Sequence, residues 1–232
     1  MPGGVVHEAL TKLWWRVPLA VAALAVSAVD RYSSLFVLMP VLLWCMLART
    51  RSTGLVVGLV LLMLQAWVVV PRGFWWAGPW VPSPVESFWL YALLAAIVSF
   101  VGVCVERREA AGVLWLLALV GLGFVGAGNK VLMHEYDPPG WEGVLPGPPG
   151  VHVTEGEGRC DSGRCWRELA ATGERAHEVM RVHLESRGFT AVSPLAGDER
   201  LCRRTGVTVP YEVCAELRDT APGTVRVTWY VD

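Results

Sequence analysis

Charge is what this sequence lacks over its first half. No Asp, Glu, Lys or Arg interrupts residues 17–29, 33–48, 54–70, 87–105 or 110–128. A soluble domain carries about 25% charged residues, whereas this chain of 232 residues has 18%, with the charges dense only from Arg159 onward. Lysine occurs only as Lys12 and Lys130, isoleucine only as Ile97 and asparagine only as Asn129. That skew towards Ala, Gly, Val, Arg, Pro and Trp points to a GC-rich bacterial coding sequence.

The missing motifs exclude function classes. No serine sits in a G-x-S-x-G elbow, no H-E-x-x-H pair puts two imidazoles on one helical face, and no glycine loop has the phosphate-cradling form. A net charge of −1 without any Lys/Arg block argues against nucleic acid as a partner. Ion and proton pathways need ionisable groups in mid-membrane. The apolar runs offer only Gln65, which suits a hydrogen bond to a neighbouring helix. No metal or cofactor site is legible.

What is present is a series of apolar runs, organised around Glu106–Tyr136. A charged knot, Glu106-Arg107-Arg108-Glu109, precedes the uncharged run Ala110–Gly128, and a polar cluster follows it. Nineteen helical residues rise roughly 28 Å, the thickness of a bilayer's hydrocarbon core. Four earlier runs fit the same reading: Leu13–Val29 with Arg16 snorkelling, Ser33–Ala48 with Pro40 near its middle, Gly54–Val70, and Ser87–Val105. A secretory signal peptide cleaved after Val26-Ser27-Ala28 is the alternative for the first. Gly54 and Gly58, four apart, suit close helix approach, and Gly121, Gly123, Gly126 and Gly128 form a small-residue ridge. Between the third and fourth runs, Pro71–Glu86 places Trp75, Trp76 and Trp80 among prolines and glycines. Indole rings of this kind suit the headgroup layer; a lid or a docking surface for a lipid or partner is the sharper alternative.

The arginines orient the chain. With the N-terminus in the cytoplasm, the inner flanks hold Lys12, Arg16, Arg49, Arg51, Arg107 and Arg108, and the outer flanks only Arg31, Arg72 and Lys130. The positive-inside rule favours that layout. Five spans then place the C-terminus outside.

The expected architecture is a polytopic α-helical membrane protein: a five-helix transmembrane domain over 1–130, a Pro/Gly-rich linker over 131–150, and an extracytoplasmic α+β domain over 151–232. Cys160, Cys165, Cys202 and Cys214 all fall in the last part, and an even count outside the cytoplasm reads as two disulfides. Cys160 and Cys165 flank a tight hairpin, and Cys202 and Cys214 flank a turn near Gly206, so these pairings are expected. Zinc is the competing reading, but the spacings contain no C-x-x-C pair. Residues 173–187 follow a helical pattern, with Ala176, Val179, Met180, His183 and Leu184 on one stripe, ended by Gly188 and Phe189. Val225, Val227, Trp229 and Val231 alternate as a half-buried strand that pairs with Tyr211–Leu217. The order is β-β-α-β-β-β, one helix covering an antiparallel sheet.

His177 and His183 lie six apart, on different helix faces, so they do not share a metal. The densest polar group near the membrane is His134-Glu135-Tyr136-Asp137; His134, Glu135 and Asp137 beside Trp75 and Trp76 form the candidate interface site. The sequence thus implies a non-enzymatic multi-pass protein of the cell membrane. Its external domain would bind another membrane or envelope protein, with the lipid bilayer as its other partner. An enzyme acting on lipid or envelope substrates at the interface, and a small transporter or channel subunit, are the alternatives.

Overall fold

Each apolar run becomes a helix, and the polar tail becomes a sheet with one helix laid on it. The computed structural model describes residues 14–29, 34–106, 111–133, 138, 142–161, 164–192 and 199–232. The helices are α1 (Arg16–Ser27), α2 (Ser34–Leu47), α3 (Arg51–Gly73), α4 (Glu86–Val105), α5 (Ala111–Met133) and, in the tail, α6 (Ala176–Ser186). The chain divides into two units, Met1–Gly73 with Val85–Gly128, and Phe74–Pro84 with Asn129–Asp232.

Among the described residues only α3 and α4 are long and apolar enough to cross a membrane. The expectation of five such spans is met only in part, and length is the reason. The 12 residues of α1 and the 14 of α2 rise roughly 18 and 21 Å, short of a core about 30 Å thick. The whole of α5 is 23 residues long, but its described apolar stretch, Leu114–Asn129, also falls below a crossing length.

Close approach holds the first unit together. A Cβ on Gly54 would strike the Trp15 ring, and one on Gly58 would lie 2.6 Å from Leu19 Cδ1, so this glycine pair receives α1. Trp44 donates its indole N–H to the Gly54 carbonyl at 3.0 Å. Gln65 is buried, and its amide nitrogen donates to the Ala23 carbonyl (2.8 Å) and the Ser27 hydroxyl (2.7 Å) of α1. Gly123 and Gly126 of α5 pack over Phe88 and Ala92 of α4, while Gly121 and Gly128 meet nothing within 4 Å. Only part of the expected ridge is therefore used within this chain. Glu106, just past α4, accepts the backbone N–H groups of Arg49 (3.0 Å) and Thr50 (3.1 Å) and the Thr50 hydroxyl (3.0 Å). A carboxylate at the start of α3 satisfies orphan donors and the helix dipole together.

The second unit carries seven strands: β1 (His152–Glu155), β2 (Arg159–Asp161), β3 (Arg164–Thr172), β4 (Thr190–Val192), β5 (Glu199–Thr205), β6 (Tyr211–Ala221) and β7 (Thr224–Val231). All named pairings are antiparallel, in the order β1-β3-β7-β6-β5-β4, with β2 also on β3. The last strand is thus central, between β3 and β6. Val225, Val227 and Trp229 bury one of its faces against Met180 and Leu184 of α6 and Leu169, Leu201 and Leu217 of the sheet. The first arm of the expected Cys160–Cys165 hairpin is two strands, because Gly156 interrupts it and donates its N–H to the Glu168 carbonyl at 2.8 Å.

The helix stop is as the sequence implies. Gly188 takes φ +82°, its N–H reaches the Glu185 carbonyl (3.0 Å), and the Phe189 N–H reaches that of Leu184 (3.1 Å). This 5→2, 6→1 pair is a Schellman cap. Both disulfides join register partners: Cys160–Cys165 across β2 and β3, and Cys202–Cys214 across β5 and β6.

Two segments behave differently from their composition. In the stretch expected as a linker, Val144 enters the domain core and the buried Glu142 accepts the Trp229 indole N–H at 3.3 Å. The Trp-rich connection 74–84 belongs to the same unit as the tail.

Candidate functional site

The 74–84 segment is seated on the domain by backbone bonds. Gly78 pairs in parallel with Thr205 and donates its N–H to the Arg204 carbonyl at 2.9 Å. Three residues on, the Val81 carbonyl accepts the Gly206 N–H at 2.7 Å. Short β4 makes this room, because it pairs with β5 only from Arg200 to Cys202, leaving the end of β5 for the inserted segment.

Trp75 supplies the side-chain part. The Arg187 guanidinium carbon lies 4.3 Å and that of Arg203 lies 5.3 Å from its ring centroid, and Arg203 also sits 5.3 Å from the Phe189 ring. Cation–π pairs of this kind contribute about 0.5–1 kcal/mol each at exposed sites. Trp75 holds this place with φ 59°, a left-handed conformation that a bulky residue adopts only when its surroundings hold it. The turn after α6 must also be bare: a Cβ on Gly188 would lie 2.6 Å from the Trp75 carbonyl oxygen. Burial lowers the Arg187 pKa from its ordinary value.

Of the residues expected at the interface site, Trp75 is thus turned into the domain. Trp76 points outward into an aromatic cluster, its ring centroid 6.2 Å from Phe74 and 5.6 Å from Trp80. His134, Glu135 and Asp137 lie outside the described residues.

A second constellation was not legible in sequence. His177, at the start of α6, lies 2.9 Å from Asp219 Oδ1 through Nδ1 and 2.9 Å from Glu199 Oε2 through Nε2. Burial disfavours its charge, but the hydrogen bonds to Glu199 and Asp219 outweigh that and raise its pKa. His177 therefore ties α6 to β5 and β6. An open cavity of about 440 Å³ adjoins it, lined by Arg175, His177, Asp219, Thr220 and Thr224 among others. The carboxylates stand 22 and 42 residues away along the chain, and no local spacing announces such partners. His183 sits apart. Burial and then the Arg187 charge lower its pKa, against the backbone of Val144 and Pro146.

The sheet face away from α6 carries a third group. Tyr230 packs beside Trp166 and the Cys202–Cys214 bridge and donates its hydroxyl to Glu216 at 2.9 Å. Burial and then Glu216 push its pKa up to about 12. Arg200 bonds Asp232 at 3.1 Å and lies 5.5 Å from the Tyr230 ring. Cys202, Cys214 and Glu212 have a metal-like spacing, but the disulfide leaves no thiolate to coordinate an ion. Comparison with family models, with curated proteins and with solved structures finds no match to this chain.

Proposed function

We propose that this chain is a multi-pass protein of the cell membrane whose role is to present the α+β unit, as an interaction module, outside the cytoplasm. One observation carries the reading: the connection between α3 and α4 and the tail after α5 belong to one unit. Segments that pack together share a side of the membrane. If α4 crosses, α5 must cross back for the two to meet, so this reading counts α5 as a span despite its short described stretch. In this reading the arginine balance favours Arg107 and Arg108 inside and the domain outside, where two disulfides would persist. In this reading α1 and α2 complete a five-span bundle, their short cores extended by the exposed Trp14 and by the flanking arginines.

The role is binding rather than catalysis. The exposed β-sheet face offers a rigid, hydrogen-bonded layer around Tyr230, and its outer row carries the exposed Arg218 and Arg226, paired in register. An envelope or membrane protein with an acidic surface fits that row. Photo-crosslinking residues at Arg218 and Arg226, in the full chain in its native membrane, test this. A discrete adduct with an envelope protein, weakened by charge reversal of the other arginine, supports the reading. No adduct from either position removes the binding role assigned to this face.

A further inference from the structure

Phe74, Trp76 and Trp80 leave large rings in solvent, with 61%, 49% and 48% of their surface exposed, while neighbouring Trp75 turns the other way. The three rings stand in series, 6.2 and 5.6 Å between centroids. A contiguous exposed aromatic patch of this kind marks an interaction surface. Its occupant follows from where the chain puts it. Phe74 is the residue after α3 and Glu86 opens α4, the two helices long and apolar enough to span. Phe74 adjoins the end of one of these helices and Trp76 and Trp80 lie in the short connection between them, a position that suits the headgroup level, where indoles place an apolar body and a polar N–H at once.

We propose that Phe74, Trp76 and Trp80 anchor the domain in the phospholipid headgroup layer, so that the 74–84 segment is a clasp with two faces. Trp75, Gly78 and Val81 hold the domain; Phe74, Trp76 and Trp80 hold the bilayer. This rests on the membrane reading above and deepens it by naming the ligand, a lipid surface. Residues 74–84 contain no charged side chain, so the contact is aromatic and not electrostatic. It is therefore indifferent to anionic lipid and to salt, unlike a polybasic anchor.

The test uses the full chain in phosphatidylcholine nanodiscs with bromine at the upper acyl positions, which quench indoles at the interface. Trp76→Phe with Trp80→Phe should remove about one-sixth of the emission (two of 12 indoles), nearly all of it from the lipid-quenched fraction. Trp75→Phe should leave that fraction unchanged, because Trp75 faces protein. Adding phosphatidylglycerol or salt should alter neither result. If the emission lost with Trp76 and Trp80 is quenched by aqueous iodide and not by brominated lipid, the anchor is overturned while the membrane reading stands. If alkaline carbonate strips the wild-type chain from membranes, both fall together.

Discussion

Replacing Trp75 separates the energy of the clasp from the strain that accompanies it. Trp75→Ala removes the ring between Arg187 and Arg203, at 4.3 and 5.3 Å, and with it about 1–2 kcal/mol from two cation–π contacts. The alanine keeps a Cβ on a left-handed backbone, φ 59°. Trp75→Gly loses the same contacts but relieves roughly 1 kcal/mol of that strain. The Gly78 and Gly206 amides, which bond to Arg204 and Val81 across the seat, report local opening through hydrogen exchange. In the full chain, Trp75→Ala should speed their exchange about 5–30-fold, and Trp75→Gly by less. Val227 and Trp229 amides, in the central strand, should not change. Unchanged exchange at Gly78 and Gly206 in the alanine variant would refute the clasp. Equal acceleration in both variants would refute the strain.

The remaining predictions concern the domain and the bundle. His177 has a folded pKa above its ordinary 6.5, so its ties to Glu199 and Asp219 stabilise fully below about 6.5 and weaken as pH rises through the raised value. His177→Gln should flatten that fall in unfolding temperature, and an unaltered pH profile would contradict the geometry. For the disulfides, separations of 12 and 5 residues give chain-entropy contributions of about 3 and 2 kcal/mol. Denaturant unfolding should therefore rank the Cys202→Ala/Cys214→Ala variant below Cys160→Ala/Cys165→Ala. Gly58→Leu, which drives a side chain into Leu19, should lower the bundle's melting temperature in detergent by several degrees, whereas Gly121→Leu, on an open face, should not. Gln65→Leu removes two hydrogen bonds to α1 and should cost about 0.5–1.5 kcal/mol in the same assay.

Local chemistry was readable where neighbours in sequence are also neighbours in space. Gly188 and Phe189 announced the helix stop, and Cys160 and Cys165 sit on one hairpin. The Val225–Val231 alternation gave a half-buried strand, though not its central place, since its β3 partners run from Trp166 opposite Tyr230 to Thr172 opposite Thr224, more than 50 residues earlier. Strand β4 escaped because three exposed residues, Thr190 to Val192, carry no period. The Pro/Gly-rich composition around Val144 suggested a tether, yet one valine and one glutamate found the core. Trp75 is the sharpest case. A stretch of Trp, Pro and Gly has no periodicity to betray a docked conformation, and its partners lie more than 100 residues on. Composition correctly marked the loop as unusual, but only the fold separates the ring that serves the domain from those that face outward.

The 74–84 clasp and the tail domain are proposed to lie together outside the cytoplasm. A C-terminal fusion at Asp232 to a reporter active only in an oxidising, extracytoplasmic compartment tests it most directly. A matched fusion after Thr50 reports the opposite side. The proposed layout gives activity at Asp232 and none after Thr50. Activity of a cytoplasm-only reporter at Asp232 would contradict it.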